Sequence, residues 1–317
     1  MTTYKGIKGL SLQTVAGDPG TIVDGLIWYD SIARKVQGSK TGAGTWASGG
    51  AVNTGRVGAG AVGASNSSAL IFGGTDGSGT AYTVAESYDG SSWTEVADTT
   101  DSHMYCFGLG TVTAGLAAGG YPNINASEEW DGSSWAEGGT LSDARGLGGG
   151  GAGTQTAGLV AGGYNNVGTC ETYDGSSWTE VGDLNTGRNY GVLGGATQNT
   201  AIITGKSPAS ANTETFDGSS WTEVGDLNTG RGGMGRASDG SKTDFLVFGG
   251  TSNSALTESF DGSSWSEVND LNTGSNETQG SGATNSAIKA AGNTASAGRA
   301  TTEEWTVASA AVTFTSS

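Results

Sequence analysis

The segment YDGSSWTEVGDLNTGR, residues 173–188, occurs a second time as FDGSSWTEVGDLNTGR at residues 216–231. Its central word, DGSSW, appears five times, and a weaker copy, TGAGTW, ends at Trp46. The tryptophans that end these words are 47, 42, 43, 43 and 44 residues apart. A period of this size indicates an array of repeated supersecondary units. The chain therefore contains six repeats, the last of which starts at Trp265.

Three other positions recur with the tryptophan. Ten residues after it comes an arginine slot, filled in order by Arg56, His103, Arg145, Arg188, Arg231 and Ser275. A glutamate stands two residues before the aromatic that opens each word, at Glu86, Glu128, Glu171, Glu214, Glu258 and Glu303. The aromatics themselves are Tyr88, Trp130, Tyr173, Phe216, Phe260 and Trp305.

Each repeat offers four segments of strand length. The first follows the arginine slot, the second is an apolar run before a glycine pair, as in Phe245–Gly250, the third ends at the aromatic, and the fourth begins at the tryptophan. Asp-Gly between the last two supplies the positive φ that a tight hairpin turn needs. A single small sheet cannot bury its apolar face, whereas six stacked sheets closed into a ring can. We therefore predict an all-β fold, a six-bladed propeller with a short N-terminal β-hairpin extension and essentially no long helix.

The order of apolar run, Gly-Gly, variable loop, Glu-x-aromatic-Asp, tryptophan and arginine resembles the kelch repeat, over residues 46 to about 307. The resemblance implies a kelch-like β-propeller but little about function, because such propellers have many roles. We expect the repeat aromatics to form the blade cores, at Trp46, Trp93, Trp135, Trp178, Trp221, Trp265, Tyr88, Trp130, Tyr173, Phe216, Phe260 and Trp305. Buried arginine and glutamate are costly unless paired, so the repeat arginines and glutamates are expected to act as inter-blade ties.

Closure of the ring has three possible solutions. The strand at Trp46 completes the last blade, Ala311–Thr315 does so instead, or both add to it; the first is favoured because Trp46 is the repeat's own tryptophan. Deletion of residues 1–50 should then leave an open ring. Residues 46–317 are thus expected to form the propeller and residues 1–45 an appendage.

Within that appendage, Gly25–Asp30 (GLIWYD) followed by Arg34–Val36 (RKV) predicts a β-hairpin. It resembles the N-terminal hairpin common in virion proteins of marine bacteriophages, in which kelch-like repeats with words like Ala152–Leu159 (AGTQTAGL) often follow. Asp30 departs from the asparagine usual there, and several repeats lack the GTQTAGL word.

Composition excludes some partners. The chain has 31 acidic and 14 basic residues and a net charge of −17, so nucleic acid and anionic membranes are poor partners. It has neither an apolar run of the ~20 residues that span a bilayer nor the apolar core of a signal peptide at its start. We expect synthesis in a host cytoplasm. Cys106, placed in a first strand, and Cys170, in the third strand of the next repeat, are expected to be buried and not to form a disulfide.

Signals for chemistry are weak. The single histidine, His103, sits in an arginine slot, and copper-radical kelch oxidases need several histidine and tyrosine ligands. The word SYDGSSW, residues 87–93, is one residue short of the sialidase box. Asp183–Gly187 and Asp226–Gly230 (both DLNTG) have the start of a calcium loop without its later acidic ligand, and a simple turn also explains them. We expect no catalytic residue, no metal and no cofactor, and regard the loops Thr75–Ala85 and Tyr121–Ala126 as the better contact surfaces.

These features favour a non-enzymatic virion protein of a tail fibre, tail tip or particle surface. Residues 1–45 would contact other virion proteins, and the propeller would bind a host-surface glycan or receptor or serve particle architecture. A free lectin-like propeller is the alternative.

Overall fold

A computed structural model describes residues 13–16, 27–32, 34–122, 124–295 and 299–313. Apart from one 3-10 turn at Tyr164–Asn166, the regular structure of these residues consists of β-strands. The chain divides into two compact units, one of residues 1–44 and 307–317 and the other of residues 45–306. The first four strands in chain order are β1 (Gln13–Val15), β2 (Ile27–Asp30), β3 (Lys35–Thr41) and β4 (Thr45–Ser48).

The larger unit contains six four-stranded sheets. Blade 1 consists of β5 (Gly60–Ser65), β6 (Ser68–Phe72), β7 (Ala85–Tyr88) and β8 (Trp93–Val96). Blade 2 consists of β9 (Phe107–Thr111), β10 (Ala114–Gly120), β11 (Ile124–Trp130) and β12 (Trp135–Glu137). Blade 3 consists of β13 (Ala152–Thr154), β14 (Ala157–Ala161), β15 (Cys170–Tyr173) and β16 (Trp178–Val181).

The remaining blades follow the same order. Blade 4 consists of β17 (Val192–Thr197), β18 (Thr200–Lys206), β19 (Ser210–Phe216) and β20 (Trp221–Val224). Blade 5 consists of β21 (Gly235–Arg236), β22 (Phe245–Phe248), β23 (Thr257–Phe260) and β24 (Trp265–Glu267). Beyond it lie β25 (Ser275–Asn276), β26 (Gln279–Ala283), β27 (Ser286–Ala290), β28 (Asn293–Thr294), β29 (Thr302–Thr306) and β30 (Ser309–Thr313).

Blade 6 closes the ring with both ends of the larger unit. Its strand order is β26-β27-β29-β4, with Trp305 opposite Trp46 in the antiparallel register of β29 and β4. The first strand of every blade contacts that of the next, and β26 contacts β5, so six blades complete the circle. The prediction that the Trp46 strand closes the last blade is confirmed. The alternative based on Ala311–Thr315 is wrong, because β30 pairs with β3 in the other unit.

The smaller unit is one four-stranded sheet in the order β1-β2-β3-β30. The expected hairpin is present: β2 and β3 are antiparallel, with Trp28 opposite Gln37. It is extended by β1, parallel to β2, and by β30, so residues from both ends of the chain form the sheet. Residues 25 and 26 of the predicted hairpin lie outside the described residues.

The apolar core lies between neighbouring blades. Val192 and Ile202 of blade 4, for example, cluster with Phe245 and Val247 of blade 5. Close packing requires glycine at two positions. A Cβ at Gly60 would lie 2.2 Å from the Phe72 ring, and a Cβ at Gly148 would lie 2.0 Å from the Phe107 ring. Sheets this close bury small second-strand residues such as Ala117 completely. No helix in the described residues has the length and apolar composition needed to cross a membrane.

Candidate functional site

The repeat aromatics face each other across the third and fourth strands of each blade. The aromatic and the tryptophan are directly opposite in the register, with ring centroids between 4.8 Å (Tyr173–Trp178) and 5.3 Å (Trp130–Trp135) apart. Tilted pairs of this kind add to the stability that burial gives. Of the twelve expected core aromatics, Trp135 is half-buried and the others are buried.

The tryptophan indoles join each blade to the one before it. Each N–H donates across the gap, to a hydroxyl directly before the repeat glutamate in four cases: Trp46 to Thr257 (3.2 Å), Trp93 to Thr302 (3.0 Å), Trp178 to Ser127 (3.3 Å) and Trp265 to Thr213 (3.2 Å). Blades 1 and 3 have Ala85 and Cys170 at that position, and there Trp135 and Trp221 donate to carbonyls of the connecting segments instead. A tryptophan with a hydroxyl partner thus serves both as core and as tie.

The repeat glutamates hold the segment that enters each blade. Glu86 accepts the backbone N–H groups of Asn53 (2.7 Å) and Thr54 (3.1 Å), which lie between blade 6 and blade 1. Both bonds recur at Glu128, Glu214 and Glu303, and the first of them recurs at Glu171 and Glu258. The glutamates therefore fasten each connection to the blade that follows it, while the indoles span neighbouring sheets.

The repeat arginines are buried against these carboxylates. Arg145 lies 2.7 Å from Glu171, and Arg56, Arg188 and Arg231 form the same ion pair with Glu86, Glu214 and Glu258. Each arginine also donates to the carbonyl two residues before its glutamate, as Arg188 does to Asn212 (2.8 Å). Burial lowers the pKa of Arg56 and of Arg188, and the neighbouring carboxylates oppose that shift. These side chains are occupied inside the ring and are not offered to a ligand.

His103 takes the arginine's place in blade 2. Its Nδ1 is 2.7 Å from the carbonyl oxygen of Gly119 and its Nε2 is 2.9 Å from Glu128. Burial raises the pKa of Glu128, but hydrogen bonds from His103 and from two backbone N–H groups outweigh it, so that the net shift is downward. The histidine is a substitute within the repeat.

The DLNTG loops also bond to the repeat glutamates. Asn185 donates its side-chain amide to Glu214 (3.0 Å) and to the carbonyl of Trp221 (2.9 Å), and Asn228 repeats both bonds in the next blade. Leu184 and Leu227 are buried between the blades. Among the described residues there is no group of three or more His, Cys, Asp or Glu side chains that could hold a metal ion.

The interior also contains two cysteines that the sequence placed correctly and one arginine that it did not indicate. Cys106 and Cys170 are buried and unpaired, as expected, and burial raises the pKa of each thiol to about 12. Arg236 lies outside the repeat's arginine slot, and no repeat pattern indicates its role. It reaches from blade 5 through the interior of the ring to the carbonyl of Gly108 in blade 2 (2.9 Å), and burial lowers its pKa to about 10.

A circle of six residues surrounds one end of the ring's interior. Two positions after each arginine slot stand Gly58, Tyr105, Leu147, Tyr190, Gly233 and Glu277, all with φ between 50° and 66°. Five hydrogen bonds join them head to tail, each from the N–H of one to the carbonyl of the one before, as from Tyr105 to Gly58 (2.6 Å) and from Gly58 to Glu277 (3.3 Å). We call this set the mouth circle.

Four members of the mouth circle keep a side chain at a positive φ that favours glycine, which costs about 1 kcal/mol each. Such strain is concentrated at functional sites. Three of the four, Tyr105, Tyr190 and Glu277, line a cavity of about 280 Å³, counted with the open space at its entrance. The cavity is the candidate functional site.

The polar groups of the cavity are close together. The Tyr105 hydroxyl donates to Glu277 (2.8 Å), and the Tyr105 and Tyr190 rings meet edge to face with centroids 5.8 Å apart. Burial and the negative charge of Glu277 raise the pKa of Tyr105 and raise that of Tyr190 to about 12. Spacing relative to the arginine slot could have identified these residues, but the set shares a backbone conformation and no residue type.

The variable loops carry a second aromatic pair. Tyr121, after the Gly-Gly of blade 2, meets Tyr164 of blade 3 edge to face with centroids 5.4 Å apart, and Tyr164 is 42% exposed. The loop from Thr75 to Ala85 is ordered by Asp76, which accepts the backbone N–H groups of Ser78 (2.7 Å) and Thr80 (3.1 Å). Neither protein-family models nor curated proteins gave a match to this chain.

Proposed function

We propose that the chain is a non-enzymatic component of a bacteriophage particle, at a tail fibre, a tail tip or the particle surface. The observation that carries the proposal is the division of labour along the chain. The propeller of residues 45–306 is complete in itself, whereas residues from both ends of the chain form one separate sheet. A terminal unit that is separate from a closed ring suits a protein that attaches by its ends and presents the ring.

Two further points support the proposal, one on the absence of catalysis and one on the phage origin. The buried repeat carboxylates each accept backbone N–H groups, and four of them are also ion-paired with arginines. The phage origin is supported by the resemblance of the hairpin GLIWYD and the word AGTQTAGL to marine phage virion proteins. In this proposal the terminal sheet contacts other virion proteins.

The test is the presence of the protein in purified particles. Antibodies raised against the purified chain should label particles of the phage that encodes it in immunogold microscopy, at a fixed position. A particle preparation that is free of the chain by mass spectrometry contradicts the proposal.

A binding role for the propeller is favoured by the tyrosine pairs Tyr105–Tyr190 and Tyr121–Tyr164 near its variable loops. Aromatic faces stack on sugars and on other flat or cationic groups, and loops on a rigid scaffold commonly carry binding. Fluorescently labelled protein should bind host cells and slow phage adsorption, and the double variant Tyr121→Ala/Tyr164→Ala should do both less well. Equal binding to non-host cells would favour a purely architectural role.

A further inference from the structure

The cavity lined by Tyr105, Tyr190 and Glu277 has a carboxylate in its wall that is not paired with any cation of the described residues. In the described part of the chain, the residues lining the cavity include no lysine, arginine or histidine, and no ion pair involves Glu277. Glu277 lies between β25 and β26, two residues after Ser275, and is not one of the repeat glutamates. By contrast, the buried glutamates of blades 1, 3, 4 and 5 each face an arginine.

Two aromatic rings stand beside that carboxylate. The Tyr105 and Tyr190 rings are nearly perpendicular, at 82°, so the pair forms a corner and not a flat stacking platform. Aromatic rings attract cations electrostatically, and a corner of rings with a nearby carboxylate is the arrangement that recognises ammonium groups. Tyr105 is held in place by its bond to Glu277, so the walls are oriented before any ligand arrives.

The size of the cavity limits what it can enclose. The volume of about 280 Å³ includes open solvent at the entrance, so the enclosed space is well below the ~300–1,000 Å³ of typical small-molecule pockets. A compact head group on a flexible stem fits this space better than a large flat molecule. Four of the lining residues are glycines, Gly58, Gly148, Gly149 and Gly233, which have no side chain to narrow the cavity.

We propose that this cavity binds an alkylammonium group, with the Glu277 carboxylate as counter-ion and the Tyr105 and Tyr190 rings as walls. The inference goes beyond the role in a particle, since it concerns the purified ring wherever the protein acts. The group can belong to a lysine side chain of a partner protein or to a free small amine. A bound cation also offsets the negative potential that Glu277 imposes on both tyrosines.

Calorimetric titration of the full chain with N-acetyl-lysine methylamide tests the proposal. We expect a dissociation constant on the order of 1 mM. Glu277→Gln should weaken binding at least tenfold and Tyr190→Ala about fivefold. The control Glu267→Gln, on the exposed outer strand of blade 5, should bind like the natural chain. Thermal unfolding of each variant identifies any loss that is due to misfolding.

Further probes separate the sources of the ligand. Tighter binding of N-acetyl-lysine methylamide than of putrescine favours a protein lysine, and the reverse order favours a free amine. The proposal is overturned if neither amine binds, or if Glu277→Gln binds both as well as the natural chain does. It is also overturned if neutral methyl glucoside binds as well as the amines. None of these outcomes bears on whether the chain is present in particles.

Discussion

The Lys289 amine lies 3.3 Å from the carbonyl oxygen of Thr301, two residues before the glutamate of blade 6. In blades 1, 3, 4 and 5 the equivalent carbonyl accepts from the repeat arginine. Blade 6 has Ser275 in the arginine slot, and its cation comes from the second strand instead. Lys289 is paired with Glu303 in the strand register, where blades 1 and 4 have Ile71 and Ile203 opposite their glutamates.

Moving the cation of blade 6 from position 289 to position 275 should change the free energy of unfolding only in part. Lys289→Val removes a buried charge but leaves Glu303 without a cation; we expect the second effect to be the larger, so that the free energy of unfolding falls by ~2 kcal/mol at pH 7. Adding Ser275→Arg restores the arrangement of the other blades and should recover at least half of that loss. Urea denaturation of the two single variants and the double variant measures the coupling. Strictly additive effects would mean that Lys289 does not replace the arginine.

The same lysine should make stability depend on alkaline pH. Burial lowers the pKa of Lys289 to about 8 from its ordinary value of 10.5. A lowered lysine pKa means that the folded state disfavours the charged form. The charged amine therefore destabilises the fold, and this destabilisation is fully present below pH 8. The unfolded chain binds more protons between these values, so the free energy of unfolding should rise from about pH 8 towards pH 10.5. The rise should be absent in Lys289→Val, measured by urea denaturation at fixed ionic strength.

The repeat made much of this architecture predictable. Trp46 with its spacing of 47 residues to Trp93 was enough to assign the closing strand, because the registers Trp305–Trp46 and Tyr88–Trp93 are the same. Pairing of Arg188 with Glu214 followed from the cost of burying either alone. The repeated sequence motif and the cost of burying an unpaired charge are therefore enough to predict the blades.

The repeat pattern and the pairing of buried charges did not predict the candidate site. Tyr105, Tyr190 and Glu277 occupy one repeat position but have different chemistry, and the backbone conformation that unites them has no sequence signature unless glycine is present. Lys289 was hidden because its partner carbonyl, that of Thr301, lies directly before another strand. The pairing of β30 with β3 also escaped, since AVTFT reads as a strand without indicating its neighbour.

The DGSS turns should make the ring sensitive to acid. In the turn of blade 3, backbone N–H groups of Ser177 and Ser176 and the Ser176 hydroxyl donate to Asp174, which lowers its pKa to about 2 from 3.8. The pKa values of Asp89, Asp131, Asp217 and Asp261 are lowered to about 2 in the same way. A lowered carboxyl pKa stabilises the fold above the unfolded value, and this contribution is lost as pH falls through the folded value. Stability should therefore fall between about pH 4 and pH 2.

The variant Asp174→Ala should unfold at a lower temperature at pH 7, and the difference from the natural chain should shrink as pH approaches 2. Calorimetric scans at several pH values provide the measurement. A difference that stays constant with pH would show that the ionised turn does not contribute.

Ring closure by β4 predicts a sharp limit for truncation. A fragment of residues 45–306 contains every strand of the six blades and should be monomeric and unfold cooperatively. A fragment of residues 51–306 lacks β4 and exposes the edge of β29, with Trp305 no longer paired with Trp46. Exposed edges promote association, so this fragment should aggregate. Light scattering distinguishes the two, and identical behaviour would contradict closure by β4.

In the mouth circle, two separable features of Gly58 disfavour any other residue. Its φ of 61° favours glycine, and a Cβ there would stand 2.4 Å from the Tyr105 ring. Gly79, with a φ of 110° in a variable loop, has nothing within 4 Å of such a Cβ and isolates the backbone contribution. Gly79→Ala should thus cost about 1 kcal/mol or less, whereas Gly58→Ala should cost at least twice as much. Because Gly58→Ala displaces the Tyr105 ring, it should also disturb the Tyr105–Glu277 bond and shift the tyrosine titration. Equal costs, with an unchanged tyrosine titration, would show that the ring yields without strain and that the circle is not a rigid frame for the cavity.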